Sequence, residues 1–412
     1  MKTIFESYTN LELKEIIEQI ISLLKEGRTL DFIKKNTPKY FFSELLSIAR
    51  SKIKNMKNPK TKYPLYFLEE DLRFATPDTI ANYRAQKLKT DTIIELGCGI
   101  GLQTIAFAKF CNIVIAIDID KRKIAYAKKN AELLGIKNVI FICGNALDKK
   151  IIAQCKGDTL FLDPERLPNE KERTLATITP NIQEIIQSYQ EIVSKICIEL
   201  PPQIQEEIPF DEKEYVSVQG KINRLHVYLY DVNKKNNQIT NKKAIITAVS
   251  LPSGEKISNE NETYEKGIIS NISKEYFFLA EIDEAIQKAD LLEKIQTGGD
   301  LFIWKNKSYL LFKKKVTNVF LQLHKILGKA QTKEELIELL KKKDIGKIIL
   351  RGSVLEQEYW PFRKSIEQNL KGDKIGEVFL FSDYIITEQA KKIEEKEIEE
   401  KKNKKKDEIQ KD

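Results

Sequence analysis

The stretch from Thr92 to Gly101, TIIELGCGIG, decides the fold of this chain. An apolar run of strand length leads into Gly97, Gly99 and Gly101, and a helix-like segment follows. Glycines let such a turn bring the backbone close to a ligand, because no Cβ stands in the way. The spacing departs from the G-x-G-x-x-G of dinucleotide sites, since the third glycine comes two residues after the second and Glu95 precedes the first by two. The stretch therefore predicts a ligand-binding strand–turn–helix unit.

Strand-like and helix-like segments alternate through this part of the chain. The predicted strands are Thr92–Leu96, Ile113–Ile117, Val139–Cys143, Thr159–Leu162 and Ile192–Glu199, and the predicted helices are Leu102–Phe110, Lys121–Leu134 and Ile182–Tyr189. Such alternation is typical of a parallel sheet covered by helices on both faces. The expected fold class is therefore α/β, with a Rossmann-like sheet.

Polar residues follow the other strands at the edge where such sheets bind ligands. Asp118 follows the second strand, about 20 residues past the loop, where a carboxylate can accept both hydroxyls of a ribose. Asn145 and Ala146 follow the third strand, and the side-chain carbonyl of Asn145 can accept an amino group. Asp163 and Pro164 close the fourth. We expect these residues to face one ligand, because ligands bind at the carboxyl ends of the strands.

The acid-and-glycine loop resembles the first motif of class I methyltransferases, which holds the methionine part of S-adenosylmethionine. The resemblance implies this cofactor and assigns it the residues Thr76, Glu95, Gly97, Gly99, Gly101, Asp118, Asn145, Ala146 and Asp163. The segment Arg73–Pro77 resembles the one that closes over the cofactor's carboxylate end in many nucleic-acid methyltransferases. Thr76 is alternatively the N-cap of the helix that follows.

The sequence after the fourth strand bears on the reaction. Enzymes that methylate exocyclic amino groups of bases often carry Asn- or Asp-Pro-Pro-aromatic there, whereas this chain has Asp163-Pro164-Glu165-Arg166. We expect Asp163 to hold an amine, Glu165 to accept from an amino group, and Arg166 to stack on a base or bind phosphate. Alternatively, Glu165 and Arg166 pair with each other or with neighbours. Cys197 lies among apolar residues and is expected to be inert, which disfavours methylation of a pyrimidine C5.

Composition excludes several classes of protein. The 412 residues are 42% hydrophobic and 32% charged, which is typical of a soluble globular protein. The apolar runs fall well short of the roughly 20 residues that a membrane span needs, and no secretory signal follows the N-terminus, so we expect a cytoplasmic protein without membrane contact. The two histidines and five cysteines form no zinc-ligand pattern, so no metal is expected. We expect the cysteines to be small core residues.

Two stretches are rich in basic residues and hold no acid. Arg50–Lys62 has six basic residues, and Leu301–Lys333 has eight lysines. Such stretches are typical of surface that faces phosphates, and RNA is then the expected partner. Solvated faces of a lysine-rich protein give the same pattern.

The chain is predicted to divide into four regions. They are a helical region at 1–64, a methyltransferase domain with a β-rich extension at 65–268, a second α/β domain at 269–390 and a charged tail at 391–412. A helix is expected near Ile282–Ile295 in the second domain. Glu199 and the turn at Pro201-Pro202 are expected to shape a substrate pocket.

Five segments together resemble a group of archaeal and bacterial class I methyltransferases of RNA-modifying type, distantly similar to trimethylguanosine synthases. They are Arg73–Pro77, Glu95–Gly101, Asp118, Asp163–Arg173 and Glu199–Ile204. Members of the group carry a C-terminal THUMP-like domain, which Leu350–Ser353, Tyr359–Arg363 and Glu377–Phe381 resemble. THUMP domains are associated with RNA, so the resemblance implies base methylation in tRNA or rRNA. The alternatives are a protein or small-molecule methyltransferase and a non-catalytic RNA-binding module.

Overall fold

The structure is a computed structural model that describes residues 3–166, 174–204, 206, 210–233, 244–352 and 356–389. Two compact units are present. The first comprises residues 1–213 and 225–244, and the second comprises 214–224 and 245–412. The predicted domain boundaries at residues 64 and 268 do not coincide with this division, and they stay predictions.

The first unit begins with five helices. They are α1 (Ile4–Ser7), α2 (Asn10–Lys25), α3 (Leu30–Lys35), α4 (Phe42–Lys57) and α5 (Glu69–Phe74). Helix α2 begins with a capping box, in which the Thr9 side chain accepts from the Glu12 amide and the Glu12 carboxylate accepts from the Thr9 amide. Leu13, Ile17 and Ile20 recur at helical spacing along α2 and are fully buried or nearly so.

The apolar core under these helices extends into the glycine loop and its neighbouring helices. Leu13 and Leu45 from the helical region share one buried cluster with Ile100, Leu102 and Tyr126. The residues at 1–64 therefore contribute to the core that supports the glycine loop.

The rest of the first unit comprises a sheet with helices on both sides and a separate two-stranded sheet formed by residues 165–166 and 178–179. Its elements are α6 (Asp78–Lys87), β1 (Thr92–Leu96), α7 (Leu102–Phe107), β2 (Ile113–Asp118), α8 (Lys121–Leu133), β3 (Val139–Cys143), α9 (Lys149–Ile152), β4 (Thr159–Leu162), β5 (Glu165–Arg166), β6 (Ile178–Thr179), α10 (Ile182–Tyr189) and β7 (Lys195–Leu200). The strand order is β3-β2-β1-β4-β7, and all these neighbours are parallel. Next comes β9 (Lys221–Tyr230), which is antiparallel to β7.

The register brings the carboxyl ends of the central strands to one level. Leu96 of β1 pairs with Ile117 of β2 on one side and with Leu162 of β4 on the other. Buried, β-branched and aliphatic residues fill these strands, as parallel strands covered on both faces require. The residues that directly follow the three strands therefore lie at one edge of the sheet.

The second unit contains the remaining elements. They are β8 (Glu212–Val218), the first part of β9, β10 (Ile245–Leu251), β11 (Glu255–Ser258), β12 (Ile268–Ile269), β13 (Phe278–Ile282), α11 (Glu284–Ala289), β14 (Asp300–Trp304), β15 (Lys307–Phe312), β16 (Leu321–Ala330), α12 (Lys333–Lys342), β17 (Ile345–Arg351), α13 (Glu356–Glu367), β18 (Lys374–Leu380) and β19 (Tyr384–Glu388). The strand orders are β11-β10-β8-β9 and β12-β14-β15-β13-β16-β19-β18-β17.

The predicted helix at Ile282–Ile295 is wrong in extent, because α11 is much shorter. Ile282 ends the preceding strand β13, and the Asp283 side chain caps α11 by accepting from the Ala285 amide at 2.7 Å. The helix ends where Asp290 takes a left-handed backbone conformation, with φ +54°. An aspartate thus sets each end of α11, because aspartate favours the N-cap position and tolerates positive φ.

Candidate active site

The glycine loop leaves β1 and is fastened at once to β2. The amides of Gly97 and Cys98 both donate to the Ile117 carbonyl, at 2.9 and 3.0 Å. The amide of Gly101 donates to the Cys98 carbonyl at 3.0 Å and closes the turn. This bonding leaves a tight loop directly above the strand ends.

The three glycines have positive φ angles of +77°, +55° and +88°, and they meet different surroundings. A Cβ on Gly97 would lie 3.0 Å from the Asp163 carbonyl oxygen, and one on Gly101 would lie 3.1 Å from the Ala127 Cβ. A Cβ on Gly99 would meet nothing within 4 Å. Gly97 and Gly101 therefore permit packing within the protein, whereas Gly99 borders open space that a ligand can enter.

Asp118 ends β2 next to this open space. Its Oδ2 accepts from the Gly99 amide at 2.8 Å, and its Oδ1 accepts from the Asp120 amide at 2.8 Å. Each carboxylate oxygen has a second lone pair, so the group can still accept two donors such as the two hydroxyls of a ribose. The next residue, Ile119, is 72% exposed and provides an apolar surface beside the carboxylate. The sequence analysis missed Ile119, which an apolar residue directly after a strand-end acid could have indicated.

Glu95, near the end of β1, is almost fully buried. Its Oε2 accepts from the Thr104 hydroxyl at 2.6 Å. Burial raises the pKa of Glu95 to about 8, the Thr104 hydrogen bond and the charge of Arg84 oppose that rise, and the charges of Asp163 and Asp118 add to it. A cationic ligand group that reached Glu95 would favour its ionised form.

A buried polar network that sequence analysis missed lies beside these residues. Arg84 of α6 is fully buried and donates to Glu199 of β7 and, at 2.7 Å, to Gln103 of α7. Its Nη2 also lies 3.0 Å from His226 Nε2. Glu199, which we expected to shape a substrate pocket, is buried against Arg84, because β7 lies between β4 and β9, and its role in shaping a pocket stays a prediction. An arginine at helical spacing from buried alanines of α6 is the sequence feature that could have revealed the network.

Asn130 of α8 connects the glycine loop to the segment before α5. Its side-chain nitrogen donates to the carbonyls of Tyr66 and Ile100, at 2.9 and 3.0 Å, and its oxygen accepts from the Tyr66 amide at 2.8 Å. Asn130 is fully buried, so these bonds have no competition from water. The loop position thus depends on a residue 30 positions further along the chain, as the Ile100–Asn130 bond shows.

Asn145 and Ala146 follow β3, which pairs with β2 as far as Asp118. The Asn145 side-chain oxygen accepts from the Leu147 amide at 3.0 Å, so the turn uses one of its two lone pairs. The Ala146 carbonyl accepts from the Tyr189 hydroxyl at 2.8 Å. Both residues lie at the same edge as Asp118, and their contacts to the cofactor stay a prediction.

Thr76 is buried in the segment that leads into α6. The alternative role of Thr76 as N-cap is wrong, because Pro77 takes that position and provides no side-chain cap. Lys60 holds the segment by donating to the carbonyls of Arg73 and Ala75, at 3.3 and 2.9 Å. The contact of Thr76 with the cofactor stays a prediction.

Asp163 lies directly after β4, and its amide is 3.4 Å from the Leu96 carbonyl. The backbone of Glu165 and Arg166 forms β5, which pairs antiparallel with β6. The side chains of Glu165 and Arg166 and the residues 167–173 lie outside the described residues. The roles predicted for Asp163, Glu165 and Arg166 therefore stay predictions.

The cysteines follow the expected pattern with one exception. The expectation of core positions is confirmed for Cys98, Cys111, Cys155 and Cys197, which are buried. It is wrong for Cys143, which is exposed because β3 is the edge strand of the first unit's sheet. Burial raises the pKa of Cys98 well above the usual value for a thiol.

Two features are absent from the described residues. Among them, no helix combines the length and the apolar character needed to cross a membrane. In the same part of the chain, no three or more His, Cys, Asp and Glu side chains are grouped as a metal ion would require.

Comparisons with known proteins connect this geometry to a class of enzymes. A family model described as RNA cap guanine-N2 methyltransferase matches residues 90–201. The tRNA/tmRNA (uracil-C(5))-methyltransferase of Campylobacter lari is 35% identical over 97 residues, and the trimethylguanosine synthase of Schizosaccharomyces pombe is 43% identical over 79. These alignments cover 22% and 18% of this chain and 28% and 33% of the relatives. The chain thus spans about a third or less of the length of these curated relatives.

A solved structure from Porphyromonas gingivalis W83, of a protein assigned as a methyltransferase, has a TM-score of 0.69 with 15% identity. The structural alignment covers 93% of this chain and 100% of the Porphyromonas gingivalis chain. The chain has the class I methyltransferase fold. The predicted fold class is therefore confirmed, as are the cofactor S-adenosylmethionine and the similarity to trimethylguanosine synthases.

The site also fits this cofactor on its own geometry. Glu95 is a buried carboxyl suited to a cationic group, Gly99 leaves room beside the loop, and Asp118 presents two partly engaged oxygens. Exposed Ile119 adds an apolar surface at the same edge. These features suit the ammonium, ribose and base parts of an adenosyl cofactor.

Proposed function

We propose that this chain methylates a nitrogen of a base in tRNA or rRNA, with S-adenosylmethionine as the methyl donor. The observation that carries the proposal is the register of β2, β1 and β4, whose ends are level. That register supports a single site in which Gly99, Asp118 and Asp163 act together. An amine must be oriented for methyl transfer by a polar residue beside the cofactor loop, and Asp163 follows β4 next to Gly97 of that loop.

When bound, the cofactor supplies an electrophilic methyl group on a sulfonium, and the C–S electron pair leaves with sulfur as the N–C bond forms. Glu95, Gly99 and Asp118 would hold the cofactor. Asp163, packed against Gly97, would accept a hydrogen bond from the base nitrogen and direct its lone pair towards the methyl group. The proton that the nitrogen then loses passes to water. Positioning is the main source of acceleration in this scheme.

RNA as the substrate is supported by several observations. The matched family and relatives are named as RNA enzymes. The basic stretch Arg50–Lys62 covers the end of α4 and the loop after it, and Leu301–Lys333 includes β14, β15 and β16. Lysines on such surfaces bind phosphates without regard to sequence. We include in the proposal that the second unit is a THUMP-like RNA-binding domain, since its resembling segments lie on β17, α13 and β18.

Cysteine placement favours a nitrogen over a pyrimidine C5 as the methylated atom, although the Campylobacter lari relative is a uracil-C(5) enzyme. Methylation of a pyrimidine C5 needs a thiolate that adds to the adjacent ring carbon C6 and so makes C5 nucleophilic. Cys197 is fully buried inside β7, and burial raises the pKa of Cys98, which disfavours its thiolate. Exposed Cys143 ends β3, which is separated from β4 and Asp163 by two strands.

The test is incorporation of labelled methyl groups from S-adenosylmethionine into total RNA, followed by nucleoside mass spectrometry. The wild type is compared with Asp163→Ala and with the control Asp373→Ala, which changes an exposed aspartate of the second unit. We expect one N-methylated nucleoside with the wild type and the control, and its loss with Asp163→Ala. No label in RNA despite cofactor binding would refute the proposal, and label in protein or a small-molecule fraction would replace it.

A further inference from the structure

Basic and aromatic side chains lie around the beginning of α6, on the segment before α5, at the end of α5 and after α7. We call Lys62, Tyr63, Arg73, Phe74 and Lys109 the α6 strip. Lys62 and Lys109 both lie over the Tyr63 ring, with their Nζ atoms 5.8 and 4.7 Å from its centroid. The Lys109 Nζ also donates to the Tyr63 hydroxyl at 3.0 Å. One end of the strip is thus an aromatic ring flanked by two exposed ammonium groups.

The other end of the strip is an aromatic ring left in water. Phe74 is 70% exposed at the last position of α5. The Arg73 guanidinium lies 5.6 Å from the centre of its ring. Covering this ring would be favourable, so Phe74 offers a partner an apolar face on which to pack.

The strip is attached to the segment that leads into α6 and to the first turns of that helix. The Asp78 amide donates to the Lys60 carbonyl at 2.7 Å, and the Lys62 amide donates to the Asp78 carboxylate at 3.0 Å. The Lys109 Nζ lies 3.3 Å from the Asn82 side-chain oxygen. These bonds hold the strip beside the first turns of α6, the helix that begins directly after Thr76 and Pro77.

One carboxylate lies beside the strip, that of Asp78, which accepts from the Lys62 amide rather than from a cationic side chain of the strip. Glu69 pairs with Lys54, outside the strip. Within the described part of the chain, no carboxylate lies within ion-pair distance of the side chains of Lys62, Arg73 or Lys109. The strip therefore presents net positive charge to solvent, together with two aromatic rings.

We infer that the α6 strip binds single-stranded RNA and leads it to the site at Asp163, an inference that rests on the proposed function. Lys62, Arg73 and Lys109 would meet phosphates, and an unpaired base would stack on Phe74. Cationic grooves with aromatic platforms are how proteins bind single strands, because every base has a face that can stack. A duplex keeps its bases stacked inside and leaves Phe74 without a partner. An acidic protein would satisfy the charges but not the exposed ring faces.

The test measures binding of the full chain to a fluorescein-labelled oligouridine of about 12 nucleotides, a length within the usual site sizes. Fluorescence anisotropy is recorded over a range of salt concentrations for the wild type, Phe74→Ala and the double variant Lys62→Glu/Lys109→Glu. Lys128→Glu is the matched control, because Lys128 is exposed on α8 outside the strip. We expect Phe74→Ala to weaken binding about five- to a hundredfold. The double variant should reduce the slope of log K against log salt by about 1.4.

The control should bind as the wild type does, and the duplex of the same length should bind less tightly and be insensitive to Phe74→Ala. Equal binding by the strip variants and the wild type would overturn the inference, as would equal loss in Lys128→Glu. Methyl transfer to RNA that is unchanged in the strip variants would overturn the inference alone. If neither the wild type nor any variant transfers methyl groups to RNA, but oligouridine binding still depends on the strip, the proposed function is refuted instead.

Discussion

Substitution of Gly97 by alanine has two effects, strain in a left-handed backbone and displacement of neighbouring atoms, and a matched control can separate them. Gly97 has a φ of +77°, and Gly135, at the end of α8, has a φ of +67°. An alanine in this left-handed conformation costs about 1–2 kcal/mol. Since a Cβ on Gly135 would meet nothing within 4 Å, Gly135→Ala should lose this amount of stability and nothing more. It is therefore the matched control.

Gly97→Ala carries an additional displacement. Its Cβ would lie 3.0 Å from the Asp163 carbonyl, whereas ordinary contact begins at 3.4 Å, so the end of β4 or the loop must move by the difference of 0.4 Å. A misplacement of 1 Å can lower a rate about a hundredfold, so a misplacement of 0.4 Å should lower it about sixfold if the logarithm of the rate falls in proportion to the displacement. We expect Asp163 to be misplaced by this shift, with the loss in rate that follows.

Three measurements on each variant check this reasoning. Urea denaturation should show a loss of about 1–2 kcal/mol of unfolding free energy for Gly135→Ala and a larger loss for Gly97→Ala, whose Cβ also displaces neighbouring atoms. Calorimetry with S-adenosylhomocysteine and methyl transfer at saturating cofactor should both be impaired in Gly97→Ala alone. If the two variants transfer methyl groups equally well, the contact between Gly97 and Asp163 does not position the site, and the argument is refuted.

Three further predictions concern buried groups. Arg84→Met removes the guanidinium that pairs with the buried Glu199 carboxylate, so urea unfolding should show a loss of about 3–5 kcal/mol. Most of that loss should be recovered in the double variant Arg84→Met/Glu199→Leu, and equal losses in the single and the double variant would contradict the role of the pair. Asn130→Ala removes three hydrogen bonds and should lower the free energy of unfolding by about 3 kcal/mol. It should also weaken binding of S-adenosylhomocysteine measured by calorimetry, and an unchanged affinity would contradict the role of Asn130 in holding the loop. Burial lowers the pKa of His324, but two facing carboxylates outweigh it and the net pKa is raised. Charged His324 therefore stabilises the fold fully below about pH 6.5, and this contribution is lost as pH rises through the raised pKa. The difference in unfolding free energy between wild type and His324→Gln should therefore shrink as pH rises above about 6.5, and a difference that stays constant would contradict this reasoning.

Local patterns were sufficient to predict most of the first unit's sheet. The apolar runs of β1, β2, β3 and β4 and the intervening helices agree with the structure within a few residues. Parallel strands buried on both faces need such runs, so their sequence is informative. In the second unit, β16 was missed, because Gln322, His324 and Lys325 make it look like a polar segment. Its His324 is buried only because Glu377 of β18 accepts its hydrogen bond at 2.6 Å.

The sequence by itself determined the class of the protein: the order Glu95, Gly97–Gly101, Asp118, Asp163 on successive strand ends specifies a cofactor edge, because strand and turn chemistry are local. Tertiary structure alone decided that Arg84 lies against Glu199, 115 residues away, and that Asn130 holds the glycine loop. Those contacts depend on how α6 and α8 pack on the sheet. Burial makes them strong, because a polar group removed from water is stable only when it is hydrogen-bonded, and packing determines which partner is within reach.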